Sequence, residues 1–338
     1  MLLPPLFAET LPCLRFVWPR RPMGRGASRC TARSTLSGWK WQFCGRRVLW
    51  LLACGLVCGC NGGSRADLAA TATAPPVIRI AAAANLRPLM QPWANQYQAT
   101  RDRATRHRMG EDQAGDRAPR LVVTYGASGS LYAQAISGAP FDIMLSADTE
   151  YPQRLVQQGR ASERDRHAYA VGVLVIWMPH RMASQMQGDP LRFLGEPTIE
   201  RIAIANPRLA PYGRAAVETL ESAELMERVA EKISWGENVT QAAHFAYSRA
   251  ADAAFLPLSL ASSEPLKSAG AYWLVEDRRY QPITQAGVVL LDSPRHALAC
   301  EVFAQFRADM ESGLATRNGY RPVGTSLMPV GRGQAKNL

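Results

Sequence analysis

The run Gly126-Ala127-Ser128-Gly129-Ser130 follows the β-branched stretch Leu121-Val122-Val123 and precedes a helix-like segment at 131–136. Small residues between a strand and a helix serve three chemistries. A phosphate-cradling loop needs a Gly-Lys-Ser/Thr ending whose lysine reaches the terminal phosphates, whereas this run ends Gly129-Ser130-Leu131. A hydrolase elbow needs Gly-x-Ser-x-Gly, because glycines relieve the strained turn under the nucleophile, and the run falls one residue short of it. The third is a helix N-terminus, whose unpaired N–H groups favour an anion and whose small side chains let it approach the backbone. Ser128 fits that role, and it also fits an ordinary serine cap.

Similar junctions recur at Asn85 after a run of four alanines, at Pro211-Tyr212-Gly213 after "ANPRLA", and at Val239-Thr240 after "WGEN". Four helix N-termini could offer a dense set of donors to one anion. The plain alternative stands beside this, since Asn is a preferred cap and Pro opens helices. Asp142 and Asp148 in "FDIMLSAD" are expected to fix strand ends near a hinge, because a carboxylate beside an anion is repulsive. Arg214 is expected to be solvated or to bridge lobes. The five histidines (His107, His167, His180, His244, His296) are scattered without ligand spacing, so no metal site is expected of them.

The elements that must position these junctions alternate strand and helix from Val77 onward, which indicates an α/β protein with largely parallel sheets. Strands are expected at 77–84, 121–125, 141–148, 201–206 and 253–259, with helices opening near Asn85, Ser128, Thr149, Pro211 and Asn238 and a last one over 295–310. Pro92 is expected to kink or shorten the first helix. Residues 100–120, charged and almost without apolar groups, are expected to form a mobile surface loop. Two long apolar runs, 168–179 and 283–291, bracket the middle of the chain. They suggest a clamshell of two lobes, in which the chain leaves one, builds the other and returns through a two-strand hinge. The expected division is 77–168 plus 285–330 for the first lobe and 169–284 for the second.

The N-terminal segment has a different character. Nine basic residues and one acid fall in residues 1–60, so of the net charge of +11 only about +3 belongs to the rest. The basic balance is therefore poor support for a nucleic-acid partner. Six of the seven cysteines lie there too, leaving Cys300 alone afterwards, so no disulfide or cysteine-based metal site is expected beyond residue 60. "GRRVLWLLACGLVCGC" reads as an export signal, with Arg46-Arg47 before an apolar stretch too short to span a bilayer. Its end, Val57-Cys58-Gly59-Cys60, resembles a lipobox with Cys60 as the lipid-bearing residue; a plain signal peptide cut slightly later is the alternative. Residues 1–45 exceed an ordinary n-region, so an internal start such as Met23 is expected. Residues 61–76 read as a tether.

Taken in order, "AAAANL", "TYGASGSL", "GAPFDIMLSAD", "ANPRLAPYG", "GENVTQA" and "NGYRPVG" resemble the periplasmic molybdate-binding proteins of ABC importers, from about Val77 to Gly324. The resemblance implies a solute-binding protein rather than an enzyme, with no cofactor. Its cargo would be molybdate or tungstate, held by N–H groups and hydroxyls at Asn85, Ser128, Tyr212 and Val239 without a metal ligand. A fifth family position, often Tyr, falls on Pro257, which has neither hydroxyl nor N–H. The implied partners are a membrane permease with its cytoplasmic ATPase. The implied setting is the periplasm, as a monomer touching the membrane only through a lipid anchor. Other readings are a binding protein for another tetrahedral oxyanion such as sulfate, an exported serine hydrolase using Ser128, and a module reporting the ligand to a sensor.

Overall fold

A computed structural model of the chain describes residues 75–109 and 118–324. The export and lipobox segment, including Cys60, and nearly all of the tether lie outside these residues.

Two five-stranded sheets define two lobes. The first holds β1 (Val77–Ala83), β2 (Arg120–Gly126), β3 (Ile143–Ser146), β4 (His167–Gly172) and β10 (Ile283–Val289), in the order β2-β1-β3-β10-β4. The second holds β5 (Leu174–Pro179), β6 (Ile202–Ala205), β7 (Ile233–Gly236), β8 (Ala253–Pro257) and β9 (Gly270–Leu274), in the order β7-β6-β8-β5-β9. The strands β7 and β9 are absent from the sequence reading. β7 is only four residues long and ends in glycine, so it carries little strand signal.

The apolar run 168–179 is two strands, broken at Val173 where the chain passes between sheets. Residues 169–172 and 283–284 thus pair within the first sheet, a few residues away from the expected boundaries.

Six helices matter for the site: α1 (Arg87–Met109), α2 (Ser128–Ile136), α3 (Glu150–Gln157), α4 (Pro211–Ser222), α5 (Val239–Tyr247) and α6 (His296–Asp309). Pro92 does not shorten α1, which runs on past it, and contrary to expectation residues 100–109 belong to this helix instead of to a loop. Side-chain contacts support that extension, since Arg101 lies over the Tyr97 ring and pairs with Glu301 at 3.0 Å. Trp93 packs edge-on to Phe306 and donates from Nε1 to Asp309 at 2.7 Å, which ties α1 to α6.

Each sheet is mixed instead of largely parallel, with two parallel and two antiparallel pairings because β10 and β5 run against their neighbours, and helices cover both of its faces. In the first lobe Ile78, Ile80 and Ala82 pack under α1 and α6, while Ala81 and Met144 pack under α2 and α3. The second lobe is centred on Trp177, Phe255, Ile202 and Ile204.

Register decides where the helix starts fall. Ala83 of β1 pairs with Gly126 of β2, so the chain leaves adjacent strands side by side at Asn85 and Ser128. Ala205 of β6 pairs with Gly236 of β7, which does the same for the segments leading to Tyr212 and Val239. Ligands of open α/β sheets bind at such carboxyl ends.

Candidate ligand-binding cleft

Asn85, Ser128, Tyr212 and Val239 all line one small pocket, together with Gly126, Asn238, Pro211 and five alanines. No side chain in that lining carries a formal charge. The four residues are almost wholly buried, at 1%, 1%, 2% and 4% exposure.

Each sits in the first turn of a helical segment, where N–H groups lack an intrahelical acceptor. The backbone N–H groups of all four have no acceptor among the described residues. The capping alternative fails for Ser128, because Ala127 is the N-cap and Ser128 is the first helical residue. Its Oγ accepts a hydrogen bond from the Ala147 N–H at 3.0 Å, which leaves the hydroxyl hydrogen available as a donor. Asn238 is the cap of α5, accepting from the N–H groups of Thr240 and Gln241 and leaving that of Val239 unused.

Asn85 is not a cap either. Its amide donates to Gln285 Oε1 and to Tyr320 Oη, both at 3.0 Å, and its carbonyl accepts from Ser259 and Tyr320 at 3.0 and 2.8 Å. With its side chain engaged, Asn85 offers the pocket its backbone N–H. Tyr212 behaves similarly, since its hydroxyl accepts from Gln285 Nε2 at 3.0 Å and lies over the crossover strand. A Cβ on Gly172 would stand 2.2 Å from that hydroxyl oxygen, so β4 needs glycine there. Burial above all raises the pKa of Tyr169, Tyr212, Tyr320 and Tyr280 above the usual phenol range.

Gln285, Tyr169, Tyr320 and Ser259 were not singled out as site residues from the sequence. Gln285 is wholly buried, and its Oε1 lies 3.1 Å from the Tyr169 hydroxyl. Its signal was present, because an amide inside the apolar strand "ITQAGVVLL" must find partners. At Pro257, where a tyrosine contact is missing, Ser259 two residues on reaches Asn85 and not the pocket.

Outside the pocket the lobes meet at a rim. Gly129 N–H donates to Leu209 O at 2.9 Å, and the Tyr151 hydroxyl to Arg208 O at 3.2 Å. Arg214 bridges to Asp148 at 2.6 Å and Glu150 at 3.3 Å. Burial lowers the Arg214 pKa, but the bond to Asp148 and the nearby carboxylates outweigh it, so the net shift is upward. Asp148 serves closure through Oδ2 and also fixes the end of β3 as expected, its Oδ1 accepting from Ser146 Oγ at 2.9 Å and from Tyr151 N–H at 3.2 Å. Asp142 lies before β3, at the end of that strand away from the cleft, and accepts from Arg79 N–H and Ser293 Oγ, both at 2.6 Å.

Comparisons with known proteins agree with this architecture. A family model described as bacterial extracellular solute-binding protein matches residues 78–321. The molybdate-binding protein ModA of Azotobacter vinelandii is 31% identical over 225 residues, covering 67% of this chain and 82% of that protein. Its namesake in Rhodobacter capsulatus is 35% identical over 179 residues, covering 53% and 68% respectively. The solved periplasmic molybdate-binding protein of A. vinelandii superposes with a TM-score of 0.59 at 28% identity, covering 72% of this chain and 98% of that one. These relatives are binding proteins, which sets the serine hydrolase reading aside. The chain belongs to the bacterial extracellular solute-binding protein family.

Proposed function

We propose that this chain captures molybdate or tungstate between its lobes in the periplasm and delivers it to an ABC permease driven by a cytoplasmic ATPase. The observation that carries this reading is the set of four unpaired first-turn N–H groups around one uncharged pocket. The contacts would be the N–H groups of Asn85, Ser128, Tyr212 and Val239, with the Ser128 hydroxyl as a fifth donor. A dianion stripped of water needs several such bonds, because each charge-assisted hydrogen bond recovers only about 1.5–3 kcal/mol net. Helix dipoles add to them without a mobile cation. A donor-only lining disfavours a protonated phosphate, whose P–OH needs an acceptor.

The test is calorimetric titration of the purified protein with molybdate, tungstate, sulfate and phosphate. One-to-one binding of the first two, with the others silent, is expected. Sulfate binding alone would keep the clamshell and change the cargo, and absence of heat with all four would remove the reading.

Ser128→Ala is expected to weaken molybdate binding roughly tenfold or more, the equivalent of one hydrogen bond to a charged group. Unchanged affinity in that variant would take Ser128 off the contact set. Cys60 would carry the lipid that holds an otherwise monomeric protein at the membrane. Cys60→Ala should accordingly move the protein from the membrane fraction to the soluble one on fractionation, and a wild-type protein that is already soluble would refute the anchor.

A further inference from the structure

Far from the cleft in sequence, three side chains of different chemistry meet in the first lobe. His296 opens α6, Cys300 follows one turn later on the same face, and Asp165 ends the short helix Glu163–Asp165. His296 Nε2 lies 3.4 Å from Asp165 Oδ2, and Cys300 Sγ lies 3.6 Å from His296 Nδ1. One ligand atom from each residue can be chosen so that all three lie within 4.8 Å of one another. Asp165 Oδ2 and His296 Nε2 are both buried and without a hydrogen-bond partner. Unsatisfied buried polar atoms are uncommon in folded proteins and call for an explanation.

We propose that Asp165, His296 and Cys300 form a binding site for a borderline-soft divalent cation such as zinc, with the fourth position taken by water. Carboxylate, imidazole and thiolate are the donors that zinc accepts, whereas magnesium and calcium select oxygen alone. Zinc bond lengths place ligand atoms roughly 3.3–3.6 Å apart, which the 3.4 Å between Asp165 Oδ2 and His296 Nε2 meets with Nε2 as the ligand nitrogen. Cys300 Sγ, which faces the other ring nitrogen, joins them by side-chain rotation, the three ligand atoms already lying within 4.8 Å of one another. The thiolate and carboxylate together balance the cation's charge. Arg164, whose Nε is 3.8 Å from Asp165, is 79% exposed and free to turn into solvent. The sequence concealed the site because only His296 and Cys300 are neighbours along the chain.

The test titrates the reduced full-length protein with Zn²⁺ and Co²⁺. Six other cysteines precede residue 61, so the readout is a difference. Asp165→Asn, His296→Ala and Cys300→Ser are each expected to lose one metal equivalent, with the matching cobalt–thiolate absorption lost in Cys300→Ser. Unchanged stoichiometry in His296→Ala would overturn the proposal. Should a variant not fold, alkylation of Cys300 in the wild-type chain, followed by peptide mass spectrometry, gives the same answer. Zn²⁺ is expected to slow that reaction at least tenfold, and an unchanged rate would overturn the site.

Discussion

Gly129→Val is expected to weaken oxyanion binding roughly ten- to hundredfold and, to a smaller extent, to lower the stability of the ligand-free protein. Gly129 lies in the first turn of α2, and an added Cβ would stand 2.5 Å from the Tyr151 hydroxyl and 3.1 Å from Leu209 Cα. Leu209 belongs to the other lobe, and its carbonyl accepts the Gly129 N–H. Overpacking of this kind costs about 1–3 kcal/mol, and each 1.4 kcal/mol is tenfold in affinity. The contact with Leu209 arises only on closure and subtracts from binding, whereas the contact with Tyr151, on α3 of the same lobe, is present in the open form as well and subtracts from folding. The helix itself tolerates valine slightly better than glycine. Calorimetric titration with molybdate and ligand-free thermal unfolding separate the two effects. Undiminished affinity would mean that the loaded lobes do not approach as closely as this, and the closure mechanism would fall.

Alkaline pH is expected to unfold the protein cooperatively between about pH 11 and 12. Tyr169, Tyr212, Tyr280 and Tyr320 are buried, and burial is the main cause of their raised pKa values. Above pH 10 the unfolded chain releases phenol protons that the folded chain retains, so stability falls as pH rises. Each group contributes a loss of about 1.4 kcal/mol per pH unit, so four contribute roughly 5–6. Two such units remove about 11 kcal/mol, enough to unfold a domain whose stability lies in the lower two thirds of the usual range of about 5–15 kcal/mol. Tyrosinate absorbance from these four groups should appear in the same transition as the loss of circular dichroism. Their ionisation ahead of unfolding would show that the cluster is open to water.

What could be read from the sequence was local. Helix openings at Ser128, Tyr212 and Val239 follow from neighbours within a few residues, and the structure brings those positions to one pocket with Asn85. The alternation of strands and helices likewise sufficed for the two-lobed α/β class. Pairings across long stretches of chain could not be read. Gln285 and Tyr320 stand 200 and 235 positions from Asn85, and nothing near any of them announces the hydrogen bonds they share. Composition misled at residues 100–109, where a charged run with few apolar groups is nevertheless helical, because one turn back Tyr97 is anchored in the core and Arg101 finds Glu301. The break at Val173 was hidden for the opposite reason, since both strands it separates are apolar throughout their buried positions.

The bridge from Arg214 to Asp148 and Glu150 differs from the pocket in one respect: Arg214 is 35% and Glu150 43% exposed. Ions in the surrounding medium screen charges at a rim over distances of about 8 Å, and an exposed pair such as Arg214–Glu150 is worth at most about 1 kcal/mol, whereas the pair with buried Asp148 is screened less. A sealed, uncharged interior offers them nothing to screen. Through the Arg214–Glu150 pair, ionic strength thus acts on how long the lobes stay shut by at most about fivefold, and leaves the choice of cargo unchanged.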